Sequence, residues 1–67
     1  MASTAPQRFI LSPEGTDFVL ETADGYPLQR FPTVAAAIDL LQTLPGARGS
    51  VVVVLNDYGR PQLQLNL

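Results

Sequence analysis

SVVVVLNDYGRPQLQLNL, Ser50 to Leu67, constrains how this chain can be layered. Successive side chains of a strand point to opposite faces, so the run Val51 to Val54 makes both faces of one strand apolar. Asn56 to Gly59 breaks that run, and PQLQLNL then alternates polar and apolar residues as a half-buried strand does. Together they read as a hairpin. A three-residue loop Asp57-Tyr58-Gly59 puts glycine where a type I turn with a bulge needs positive φ. That register sets Val53 opposite Leu63 and Val51 opposite Leu65, with Leu55 and Leu67 on the same side. Val52 and Val54 then fall on the other face, and something has to cover them or leave them to water.

Working back from the hairpin, VAAAIDLLQTL, Val34 to Leu44, is the helix of the chain. Val34, Ala37, Ile38, Leu41 and Leu44 recur at three- and four-residue intervals on one face. Pro32 keeps Phe31 extended, Thr33 suits the N-cap, and PGARG ends the helix in a flexible return. Before the helix, RFIL, FVLET and PLQRF read as strands separated by the turn signals SPEGTD and ADGYP. A two-residue Asp24-Gly25 loop pairs Phe18 with Phe31 and Leu20 with Gln29. A first turn that sets Leu11 opposite Phe18 sets Phe9 opposite Leu20. Phe9, Leu11, Phe18, Leu20 and Phe31 then share one apolar face with the inward residues of the last hairpin.

Alternating strand directions place the fourth strand beside the first and parallel to it. The expected fold is α+β: a two-layer arrangement of a mixed five-stranded sheet, order 3-2-1-4-5, with one helix packed on one face. Residues 1–7 are small and polar and are expected to be a disordered tail, with residues 8–67 forming a single domain.

Composition narrows the function classes. The chain has 67 residues, no cysteine and no histidine, so thiolate sites, the usual zinc ligand and the usual general base are all missing. Four arginines stand against six acids, for a formal charge of −2, which argues against a phosphate-backbone binder. The opening MASTAPQR lacks the charged and apolar regions of a signal peptide, and Val51–Leu55 is too short an apolar run to span a membrane. The expectation is a cytoplasmic protein that is not an enzyme and carries no cofactor or metal.

One helix is about 10–12 Å across and strands sit ~4.8 Å apart, so one helix covers part of one sheet face and none of the other. By these registers Ile10, Val19, Tyr26, Leu28, Val52 and Val54 are the apolar residues of the open face, and they form the expected interaction surface. Its partner is expected to be a second copy, as a homodimer, or another protein. Edge pairing through QLQLNL is a further route to association. The alternative is a nucleic-acid-binding accessory protein that lays Arg8, Arg30, Arg60, Gln62 and Gln64 of the open sheet on the groove. Glu21 lies among those arginines and pairs diagonally with Arg30. Asp24 and Asp57 belong to turns, Glu14 and Asp17 to solvent, and no serine or threonine has a histidine to activate it.

FILSPEGTDFVLE, a strand ending in FPT, the helix VAAAIDLL and a strand closing in NDYGR together resemble certain small uncharacterised bacterial domains of unknown function. These are strand-strand-strand-helix-strand modules, with an aromatic soon after a glycine turn (here Gly15 and Phe18) and a Thr-x-x-x-Ala helix start (here Thr33 and Ala37). The resemblance runs from Arg8 to Arg60 and is one of element types; the acidic charge departs from the group's basic habit. It implies the fold and a bacterial source and assigns no activity. The functional expectation is a small interaction or structural module that self-associates through the open face or the edge strand.

Overall fold

The computed structural model describes residues 7–67. Three strands, β1 (Arg8–Glu14), β2 (Asp17–Thr22) and β3 (Pro27–Phe31), precede the helix α1 (Val34–Thr43). A short 3-10 turn, Pro45–Ala47, leads into β4 (Val51–Leu55) and β5 (Pro61–Asn66). The strands form a five-stranded sheet in the order β3-β2-β1-β4-β5. β1 and β4 are parallel, and the other neighbours are antiparallel. This is the α+β arrangement the sequence predicts. The expected tail lies, as far as Pro6, outside the described residues, while the Gln7 carbonyl accepts the Val51 N–H at 2.8 Å.

Thr33 caps α1 as expected: its backbone is extended and its hydroxyl accepts the Ala36 N–H at 3.1 Å. Ala37 and Leu41 are the buried residues of the helix, with Val34, Ala36, Ile38 and Leu40 packed around them. Leu44 differs from expectation. It is the C-cap, with an extended backbone, and its side chain is exposed. The PGARG return is structured: its 3-10 turn carries Ala47 into the core.

The hairpins decide which side chains meet the helix. The first closes through the two residues Gly15-Thr16, so Leu11 faces Leu20 and Phe9 faces Thr22. That differs from the expected pairing by two residues, an even number, and leaves every face unchanged. In the second, Thr22 and Tyr26 bond across the three residues Ala23-Asp24-Gly25, with Gly25 at φ 89°. Asp24 does not take the positive φ that a two-residue Asp-Gly turn would demand. A bulge then inserts Leu28 opposite the Leu20/Glu21 step, and Phe18 faces Phe31 as the two-residue loop would have had it. The longer loop and the bulge cancel.

No such cancellation occurs in the last hairpin. Its loop is the expected Asp57-Tyr58-Gly59, with Gly59 at φ 77° and the Asn56 side chain accepting the Tyr58 and Arg60 N–H groups. Leu55 faces Pro61, but the next pair is Val54 with Leu63, so Gln62 is an extra residue on β5. The shift is one residue, an odd number, and it exchanges the faces of β4 relative to β5. Val52 now faces Leu65 and, across the parallel pair, Phe9; Val54 faces Leu63 and Leu11. The expected outward placement of Val52 and Val54 is therefore corrected: they are 0 % and 2 % exposed and belong to the core with Phe9, Leu11, Leu20, Phe31, Ala37 and Leu41. Val51, Val53 and Leu55 take the other face.

Candidate interaction surface

The helix and the 3-10 turn lie on one side of the sheet, and no element covers the other among the described residues. Pairing puts Ile10 between Glu21 and Val53, Val53 beside Gln64, and Val51 between Arg8 and Asn66. Ile10, Val51, Val53 and Leu55 are half-buried. They form an apolar centre on β1 and β4, and Gln64 and Asn66 border it on β5.

Val19 was expected on this face and lies there, opposite Ser12 and Arg30. It is 9 % exposed, yet it stands apart from the core cluster beneath the helix. Its cover is local. Arg30 reaches from β3 to Glu14 at 2.6 Å and to Asp17 at 3.4 Å, and that route crosses β2 beside Val19. Glu14 and Asp17 are directly opposed across the first hairpin, where like charges repel, and the Arg30 guanidinium, bridging the two, offsets that repulsion. This replaces the expected Glu21–Arg30 pair and takes Glu14 out of plain solvation. The hydrogen bond and charge of Glu14, aided by Asp17, hold the Arg30 pKa above its ordinary value. Such a raised pKa favours folding below the unfolded value and loses that effect only in strongly alkaline solution, so it creates no pH dependence near neutrality.

Tyr26 and Leu28, the other expected members, stand at the β2–β3 hairpin end, exposed and away from β4. The arginines of the nucleic-acid alternative are scattered. Arg8 lies at the start of β4 and Arg60 follows its far end, while Arg30 is spent on two carboxylates. Gln62 is the bulge residue, and Gln64 lies on the open face. An open cleft of about 440 Å³ between Pro13, Phe18, Leu55, Tyr58 and Gln62 brings no opposed acid–base pair together. Among the described residues no group of three or more acids, histidines or cysteines could hold a metal ion, and no helix is long and apolar enough to cross a membrane.

The sheet's two edges differ. At β5 the Leu67 N–H donates to the Ser50 carbonyl at 2.9 Å, and the Leu67 carbonyl accepts the Gly49 N–H at 3.1 Å, so the Leu67 backbone faces β4. Alternation along an antiparallel ladder turns Leu65 the same way and turns the N–H and C=O groups of Gln64 and Asn66 outward. Beside them Leu63 is 48 % exposed on the helix side. At β3 the edge begins with Pro27, is bent by the Leu28 bulge and carries Arg30, three of the ways proteins blunt an edge. β5 opens in the same way, with Pro61 and the extra residue Gln62, but from Leu63 to Asn66 it runs on with no charge, proline or bulge. β3 continues past its bulge only from Gln29 to Phe31, with Arg30 among them.

Comparison with protein-family models, with curated proteins and with solved structures finds no match to this chain. The residues that sequence reasoning missed are Val51, Val53 and Leu55. Their signal would have been the parallel pairing that sets Val52 and Val54 beside Phe9 and Leu11.

Proposed function

We propose that this chain is a small non-enzymatic interaction module of the cytoplasm that self-associates. The observation that carries this reading is a sheet left with free surface among the described residues: the open face centred on Ile10, Val51, Val53 and Leu55, and the β5 edge beside it. Apolar β-branched residues in the two middle strands of an uncovered sheet are the composition of a contact surface. The absence of histidine and cysteine from the sequence supports a role in binding over one in catalysis. The tie between Arg30 and its two acids and the separation of Arg8 from Arg60 weigh against the nucleic-acid reading.

Light scattering across a concentration series from low to high micromolar tests self-association. The expected outcome is a mass that rises from that of one chain to that of two. A constant monomer mass at the highest concentration contradicts it. Salt-sensitive binding of mixed oligonucleotides by the monomer would favour the nucleic-acid reading instead.

A further inference from the structure

Self-association could use the open face or the β5 edge. We propose that two copies of this chain join edge to edge, β5 antiparallel to β5 about a two-fold axis at Leu65. This rests on the self-association reading and specifies its interface.

The regular part of β5 begins at Leu63, after the extra residue Gln62. Within it Gln64 and Asn66 hold the outward backbone groups. An antiparallel partner bonds to residues of that alternation, and two-fold symmetry about Leu65 sets Gln64 of one copy opposite Asn66 of the other, twice. Each such pair exchanges an N–H···O=C bond in both directions. On the open face the Gln64 and Asn66 amide side chains lie side by side across the seam, each able to donate and to accept. On the helix side the half-exposed Leu63 meets Leu67 of the second copy. No side chain from Leu63 to Leu67 carries a charge, so no like-charged side chains are brought together in the low-dielectric contact.

The axis stands perpendicular to the sheet, so both helices lie on the same side. The two five-stranded sheets become one of ten strands with a continuous open face. The free edges of the pair are then the two copies of β3, which Pro27, the Leu28 bulge and Arg30 blunt. Association stops at two copies, and the open face stays available to another partner.

Charge substitutions at the seam read out both the edge and its register. Sedimentation equilibrium of Gln64→Lys/Asn66→Lys, whose fold is checked by circular dichroism, is expected to show dimer affinity about tenfold or more below wild type at low salt. Gln64→Lys/Asn66→Glu sets an ammonium opposite a carboxylate in this register and is expected to keep or exceed wild-type affinity. Should the doubly basic variant misfold, the mixed-charge variant still decides, because a seam centred on Gln64 would oppose like charges and weaken it. Wild-type affinity in a folded doubly basic variant overturns the edge interface, and loss of affinity in the mixed-charge variant overturns its Leu65-centred register. If those two results accompany a dimer broken by Val53→Glu, self-association stands and its interface is the open face. A wild-type chain that stays monomeric overturns the self-association reading itself.

Discussion

Val52 and Val53 are chemically identical neighbours whose substitution should have opposite consequences. Val52 is enclosed by Phe9, Leu65 and the helix layer, and a carboxylate there would be stranded without a partner. Such a buried charge costs several kcal/mol, comparable with the whole stability of a domain this small. Val52→Glu is expected to unfold the chain, whereas Val53→Glu, on the open side, should shift stability by about 1 kcal/mol or less. Urea denaturation of both variants checks the pair, and similar midpoints would mean the face assignment is wrong. Ser50 shares the inward phase of Val52 and Val54; it is 1 % exposed, and its hydroxyl has no hydrogen-bond partner among the described residues. An unpaired buried hydroxyl costs roughly 1–3 kcal/mol. Ser50→Ala should therefore raise the melting temperature or leave it unchanged, and a clear fall would show that the hydroxyl is satisfied.

The hairpins behave as units whose parity matters more than their exact pairing. Gln62 is the extra residue of β5, so its deletion leaves Val54 opposite Leu63 and turns a bulged ladder into a regular one. That deletion should change stability by only about 1 kcal/mol, while deletion of Gln64 moves Leu65 to the open face and should cost roughly 1–3 kcal/mol. Thermal melts of the two deletions check the order. This also shows where the sequence was legible. The helix, its Thr33 cap and the strand order could be read because each depends on a period or a local signal. The first hairpin survived an error of two residues because side-chain faces repeat every two. The Asp24-Gly25 turn was longer than expected, and the Leu28 bulge restored the Phe18–Phe31 pair. The valine run could not be phased. Either alternation buries two valines, and the deciding residue, Gln62, has no side-chain property that marks a bulge. The interaction surface moved with that phase: Ile10 and Val19 kept their places, and Val51 and Val53 replaced Val52 and Val54.

Among the described residues, one sheet face builds the core, one is left open, one edge is blunted along its length, and the other is clear from Leu63 to Asn66. A core of this size leaves little stability in reserve, and pairing adds to it through mass action. Dimerisation through β5 would therefore raise the melting temperature with protein concentration, and a concentration-independent melt would argue for a monomer. Amide hydrogen exchange followed by NMR at low and high protein concentration reads the individual backbone groups of the β5 edge. The Gln64 and Asn66 amides are predicted to exchange rapidly when dilute and to become protected when concentrated, while the β3 edge does not change. Equal exchange of those two amides at both concentrations, in a sample whose mass has doubled, would contradict the edge pairing.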